Sequence, residues 1–78
     1  MHLRFPIYLK RTNGLNWYRI DADDRFVEVQ RIGGRSLVHE VQARSYPERS
    51  RIADLLAGEA GAVVPCSAEE FQHAREKG

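Results

Sequence analysis

Apolar and polar residues alternate along the first half of the chain, which is the pattern of half-buried β-strands. Four such segments lie at about residues 4–10, 16–21, 25–32 and 35–44. The turns between them are Asn13-Gly14, the polar residues 22–24 and Gly33-Gly34, all of which favour tight reversals. Short turns between successive strands predict a four-stranded antiparallel meander.

Two-residue turns fix the register of the strands they join. About the first turn we expect Leu9 opposite Tyr18 and Ile7 opposite Ile20, which places four large side chains on one face. About the Gly33-Gly34 turn, both faces of the third and fourth strands are half apolar. We therefore expect a sheet that is covered on both sides, by curling into a partial barrel or by a partner subunit.

A change to helical spacing follows the fourth strand. Residues 45–48, Ser-Tyr-Pro-Glu, match a capping box with proline in the first turn of a helix. Ile52, Leu55 and Leu56 then form one apolar stripe, and Gly58 is suited to end the helix. Residues 62–65 form a short extended segment, which could add a fifth strand at an edge.

The C-terminal segment carries the strongest helix signals in the chain. Ser67 is suited to be the N-cap, and Glu70 at the N3 position would complete a second capping box. Basic residues at the far end complement the helix dipole. The predicted fold class is thus α+β, a four- to five-stranded antiparallel meander with a short helix after strand four and a capped C-terminal helix.

Size and composition indicate one small soluble domain over residues 1–78. Apolar residues make up 42% and charged residues 29%, which is globular rather than disordered composition. Cys66 is the only cysteine, so neither an internal disulfide nor a zinc site of several cysteines can reinforce a core this small. Self-association is the remaining common reinforcement, so we expect a homodimer to be accessible.

The chain has no apolar run long enough to span a membrane, and we expect no membrane partner. Pro6 and charges in residues 1–10 stand where a signal peptide would need apolar residues. With one cysteine as well, we expect a cytoplasmic location. The net charge of +1 is uninformative, but residues 1–20 carry four basic residues and no acid.

Part of this basic segment is interleaved with aromatic rings. Tyr8, Lys10, Trp17 and Arg19 should share one face of the first hairpin. Such a face can hold single-stranded nucleic acid, with bases stacked on the rings and phosphates on the cations. The structural alternative is that Trp17 is buried under the second helix or a partner subunit, with Lys10 and Arg19 at its rim. We favour the alternative, because a small domain has few large side chains to bury.

Two weaker features could carry chemistry. Glu28 and His39 should be cross-strand neighbours, and a carboxylate that orients an imidazole is half of an acid–base arrangement. Cys66 precedes a helix N-terminus, where the dipole can lower the pKa of a thiol. Ordinary explanations are a surface charge pair and a small buried hydrophobe. No nucleophile lies near the Glu28–His39 pair in sequence, although Ser36 and Cys66 could approach it in space, and no histidine lies near Cys66 in sequence.

We expect neither a cofactor nor a metal, because no phosphate-binding glycine loop or metal-ligand spacing is present. The leading hypothesis is a non-catalytic binding or assembly module that acts on a protein partner through its sheet. One alternative is a binder of single-stranded nucleic acid that uses the basic-aromatic face. Another is a small enzyme that uses the Glu28–His39 pair or a reactive Cys66.

Overall fold

The structure is a computed structural model and describes residues 4–77. It confirms the predicted α+β class and the order of the elements. In chain order these are β1 (Ile7–Arg11), β2 (Asn16–Ala22), β3 (Arg25–Ile32), β4 (Arg35–Gln42), α1 (Tyr46–Leu56), a 3₁₀ turn (Glu59–Gly61), β5 (Val63–Pro65) and α2 (Ala68–Glu76).

All five strands belong to one antiparallel sheet with the order β4-β3-β2-β1-β5. The sheet is open, and β4 and β5 are its two edges. The register predicted for the first hairpin is confirmed, because Leu9 lies opposite Tyr18 and Ile7 opposite Ile20. The Gly33-Gly34 turn likewise sets β4 against β3 without a register shift.

One face of the sheet packs against α1. Tyr18, Ile20 and Phe26 from the sheet are almost completely buried, together with Ile52 and Leu55 of α1. These side chains form the larger of the two cores. Leu9, Ala43 and Val63 complete its buried part.

The opposite face packs against α2. Phe71 and Ala74 of α2 lie on Val27 and Val29 of β3 and form a separate, smaller core. Tyr8 and Trp17 flank this core and are half-buried. The chain therefore covers both faces with its own helices, and neither closure into a barrel nor a partner subunit is needed for that purpose.

Local capping accounts for the start of each helix. Ser45 caps α1 in a complete box, in which Glu48 accepts from the backbone N–H groups of Arg44 and Ser45, and these bonds lower the pKa of Glu48. Ser67 caps α2 by accepting from the backbone N–H of Glu70 at 3.0 Å. The predicted second box is only half formed, because the Glu70 carboxylate binds side chains of the sheet instead.

The path of α1 explains why the fifth strand joins β1 rather than β4. An 11-residue helix is about 16 Å long. This is close to the three strand spacings, of about 4.8 Å each, that separate β4 from β1. The helix thus carries the chain back across the sheet to its far edge. There two backbone hydrogen bonds to β1 and the residue that follows it lie at the two ends of β5: the N–H of Thr12 donates to the Ala62 carbonyl, and the N–H of Cys66 donates to the Tyr8 carbonyl. As a result β4 stays uncovered on its outer side among the described residues.

Candidate functional site

The structure brings the basic-aromatic residues together on the α2 side of the sheet. The ring of Tyr8 lies 5.6 Å from that of Phe71 in α2, measured between centroids. The guanidinium carbon of Arg19 lies 5.8 Å from the same Phe71 ring, and Arg19 also pairs with Asp21 at 2.8 Å. This pairing raises the pKa of Arg19. Both predicted binding residues are thus occupied by contacts inside the domain.

Glu70 of α2 holds the other two members of this group. Its carboxylate accepts from the indole Nε1 of Trp17 at 3.1 Å and lies 3.0 Å from the ammonium of Lys10. These two contacts, that with Lys10 first, lower the pKa of Glu70. The guanidinium carbon of Arg31 lies 5.9 Å from the centroid of the Trp17 indole ring. A nucleic-acid base that stacked on Trp17 would compete with Arg31 for the indole ring.

The Glu28–His39 pair has the predicted register, since the two residues lie directly opposite each other in β3 and β4. Glu28 is 9% exposed, and its carboxylate accepts from the amide of Asn16 at 2.8 Å and from Arg51 at 3.3 Å. His39 is exposed. The hydrogen bonds found within residues 4–77 do not include one between Glu28 and His39. The carboxylate thus binds the side chain at the start of β2 and a side chain of α1 instead of orienting the imidazole.

Cys66 is half-buried between β5 and α2. Burial, followed by the nearby Glu70 carboxylate, raises the pKa of this thiol to about 11. Only a thiolate is a strong nucleophile, and at neutral pH this side chain is almost entirely protonated. The electrostatic surroundings of Cys66 therefore oppose the reactivity that its position before a helix suggested.

Residues 4–77 contain neither a metal-binding cluster nor a membrane-spanning helix. His, Cys, Asp and Glu side chains do not come together in any group of three or more that could hold a metal ion. Neither α1 nor α2 is long and apolar enough to cross a membrane.

The most accessible structural element is β4, the edge strand of the sheet. Only Ser36 and Val41 among its eight residues are half-buried, and the others are exposed. Leu37 and Val38 point to opposite faces of the sheet, and each is 41% exposed. Ile32, which precedes the turn into β4, is 53% exposed. Aliphatic surface therefore flanks the edge on both sides.

The two edges of the sheet differ in ways that matter for association. Natural edge strands avoid unwanted pairing by being short or by containing proline, bulges or lysine. The opposite edge, β5, has three residues, of which Pro65 has no backbone donor. By contrast, β4 has eight residues without proline and pairs with β3 without a bulge, and its charged residues are Arg35 near one end and Glu40 towards the other. Of the two edges, only β4 is suited to accept another strand.

The outward backbone groups of β4 can be assigned from its inner hydrogen bonds. Gly33 has a φ of 61°, as the first residue of a type II′ two-residue turn requires. In such a hairpin the residues next to the turn, Ile32 and Arg35, form a hydrogen-bonded pair. At the other end of the strand the N–H of Ala43, again an odd-numbered residue, donates to the Asp24 carbonyl. Odd-numbered residues of β4 thus bond to β3, and the even-numbered ones present their N–H and C=O groups to solvent. We define the outer edge as Ser36, Val38, Glu40 and Gln42.

A surface cavity of about 240 Å³ adjoins the end of this edge. Its lining comes from three neighbouring strands: Asp21, Arg25, Val27, Glu40, Val41 and Gln42. Sequence reasoning did not single out this region or the outer edge. The available signal was that the last strand of a meander stays at an edge unless a later strand pairs with it.

Comparison with known proteins found no significant similarity: no family model, no curated protein and no solved structure matches this chain.

Proposed function

We propose that this chain is a non-catalytic binding or assembly module that takes a strand of a protein partner along the outer edge of β4. The observation that carries the proposal is the exposed eight-residue edge strand, which has aliphatic side chains on both of its faces. Strand addition to a sheet edge is a common mode of peptide recognition, in which main-chain hydrogen bonds supply affinity and alternate side chains supply specificity.

The contacts available at the edge are of two kinds. The N–H and C=O groups of the outer edge can form a ladder with a partner strand, and each hydrogen bond contributes about 0.5–1.5 kcal/mol net. Leu37 and Ile32 on one face and Val38 on the other can bury apolar surface against the partner's side chains, at about 25 cal/mol per Å² removed from water. A partner with alternating aliphatic residues suits this surface.

The contacts of the alternative sites favour a binding role over catalysis. Glu28 is engaged by Asn16 and Arg51, and the raised pKa of Cys66 disfavours a thiolate nucleophile. Nucleic-acid binding through Trp17 gains no support from a face that α2 occupies. We place the module in the cytoplasm, a proposal that rests on its single cysteine.

A peptide-display selection against the wild-type chain tests the proposal. Peptides are selected on the wild type and then measured against Val38→Pro and Val38→Thr. Proline removes an N–H that points to solvent and blocks strand addition, while the β3–β4 bonds stay intact. Threonine keeps the N–H and the β-branched shape, and so serves as the matched control.

We expect the selected peptides to bind the wild type and Val38→Thr but not Val38→Pro, provided that circular dichroism shows all three to be folded. Bound peptide should slow amide exchange at the outer edge. Peptides that bind Val38→Pro as well as the wild type would refute strand addition at β4.

A further inference from the structure

We propose that the strand added to β4 is β4 of a second copy of this chain, in an antiparallel pair with Val38 on the two-fold axis. This inference rests on the proposed function and names its partner. The result would be one continuous ten-stranded sheet with α1 helices on one face and α2 helices on the other.

Symmetry limits the possible registers of such a pair. The two-fold axis that relates two antiparallel edge strands is perpendicular to the sheet, so both copies keep the same face up. Paired residues must then point to the same face. Because side chains alternate between faces, the numbers of two paired residues must sum to an even value. The outer edge consists of even-numbered residues, so in every such register the outward N–H and C=O groups of one copy face those of the other. The two registers of greatest overlap place either Val38 or His39 on the axis.

The side chains favour the register centred on Val38. Val38 then lies opposite its own symmetry mate, and Leu37 lies diagonal to Leu37 of the second copy, within reach across the strands. Exposed aliphatic side chains of the two copies thus meet on both faces of the sheet beside the axis, Val38 on one face and Leu37 on the other. In the other register, His39 would face His39, and Val38 would face a glutamate.

Charge complementarity selects the same register. Centring the pair on Val38 places Glu40 of one copy opposite Ser36 of the other. The Ser36 hydroxyl donates to the Ala74 carbonyl at 2.8 Å, which fixes the last turn of α2 above this point of the strand. Arg75 of that turn and Lys77, which follows the helix, are exposed, as is Glu76 between them, and neither base takes part in an ion pair among the described residues. Glu40 is exposed and likewise has no ion-pair partner there. Each copy therefore presents Glu40 where the other presents a helix end with two bases and one acid, a net charge of +1.

The two α2 helices do not obstruct this arrangement. Ser36 of one copy and Ser36 of the other are four residues apart along the paired strands, or about 13 Å at 3.3 Å per residue. A helix with its side chains is about 10–12 Å across, so the two helix ends fit beside each other. The single strand pair makes a small interface, so we expect the dimer to be weak.

Sedimentation equilibrium across the micromolar range measures the dimer directly. We expect the wild type to dimerise and Val38→Lys, which sets two ammonium groups together on the axis, to weaken the dimer about tenfold or more. Glu40→Lys alone and the double variant Arg75→Glu/Lys77→Glu should each weaken the dimer, and the triple variant should restore it. Asp54→Lys, a charge reversal of an exposed residue of α1, is the control and should leave the dimer unchanged.

The outcomes separate this inference from the proposed function. A wild type that stays monomeric throughout overturns self-pairing, while peptides that require the N–H of Val38 would still support strand addition. A dimer that Val38→Lys leaves intact also overturns self-pairing at β4. If the triple variant is no stronger than the two partial reversals, the Val38-centred register is wrong. Circular dichroism on every variant confirms that only association has changed.

Discussion

Replacement of Phe71 by alanine tests how α2 is held on the sheet. Phe71 is 1% exposed and is the only large apolar side chain that α2 contributes to the smaller core. Truncation of a buried phenylalanine to alanine costs about 3–5 kcal/mol. A domain of this size has a free energy of unfolding of only about 3–5 kcal/mol from its core, so a loss at the lower end of that range leaves it marginally folded.

The remaining attachments of α2 are too weak to compensate. Ala74 is small, and the Lys10–Glu70 ion pair is more than a third exposed, so it contributes less than about 1 kcal/mol. A nine-residue helix is not stable alone in water. We therefore expect Phe71→Ala to release and unfold α2, while the larger core under α1 keeps the strands paired, with a stability loss of about 3 kcal/mol.

Trp17 fluorescence during urea unfolding measures both effects, since Trp17 is the only tryptophan. Release of α2 removes the Glu70 contact and shifts the emission of Trp17 towards that of a solvent-exposed indole. Gln72→Ala, at an exposed position of the same helix, is the control and should change stability by less than about 0.5 kcal/mol. A Phe71→Ala protein with wild-type emission and a loss below about 1 kcal/mol would refute this account of α2 docking.

Four further outcomes follow from the described contacts. Ser67→Ala should lower the free energy of unfolding by about 1 kcal/mol in a urea titration, through loss of the α2 cap. Glu70→Gln should destabilise slightly near neutral pH, and its difference from the wild type should shrink as the pH falls below about 4.3, the ordinary pKa of glutamate, and vanish below the lowered pKa of folded Glu70. Alkylation of Cys66 at neutral pH should be slower in the native chain than in urea, since its pKa is raised to about 11 when folded. Mixed single-stranded oligonucleotides at low salt should leave Trp17 fluorescence unquenched, and strong quenching would revive the nucleic-acid hypothesis.

Local signals in the sequence were sufficient for most of the fold. The alternating strands, the Asn13-Gly14 and Gly33-Gly34 turns and the Ser45 and Ser67 caps each depend on neighbouring residues, and each was predicted correctly. The role of Glu70 was not predictable in this way. Its position at N3 favoured a capping box, but the ammonium of Lys10 and the indole of Trp17, both far away in sequence, bind its carboxylate instead.

The candidate site depended on long-range placement and was harder to predict. The half-apolar faces of β3 and β4 indicated correctly that both sides of the sheet are covered. The sequence could not assign α1 to one face and α2 to the other, because their short apolar stripes fit either. It also could not show that β5 pairs with β1, which leaves β4 as an open edge. That assignment follows from the path of α1 across the sheet.

Amide hydrogen exchange along β4 tests the central claim most directly. In dilute solution the N–H groups of Leu37, His39 and Val41 should be protected by β3, while those of Ser36 and Val38 exchange rapidly. Binding of a selected peptide, or a rise in the concentration of the chain itself, should protect the second set and leave the first unchanged. If the amides of Ser36 and Val38 are already protected in dilute solution, or stay unprotected when a partner is bound, β4 is not the binding edge.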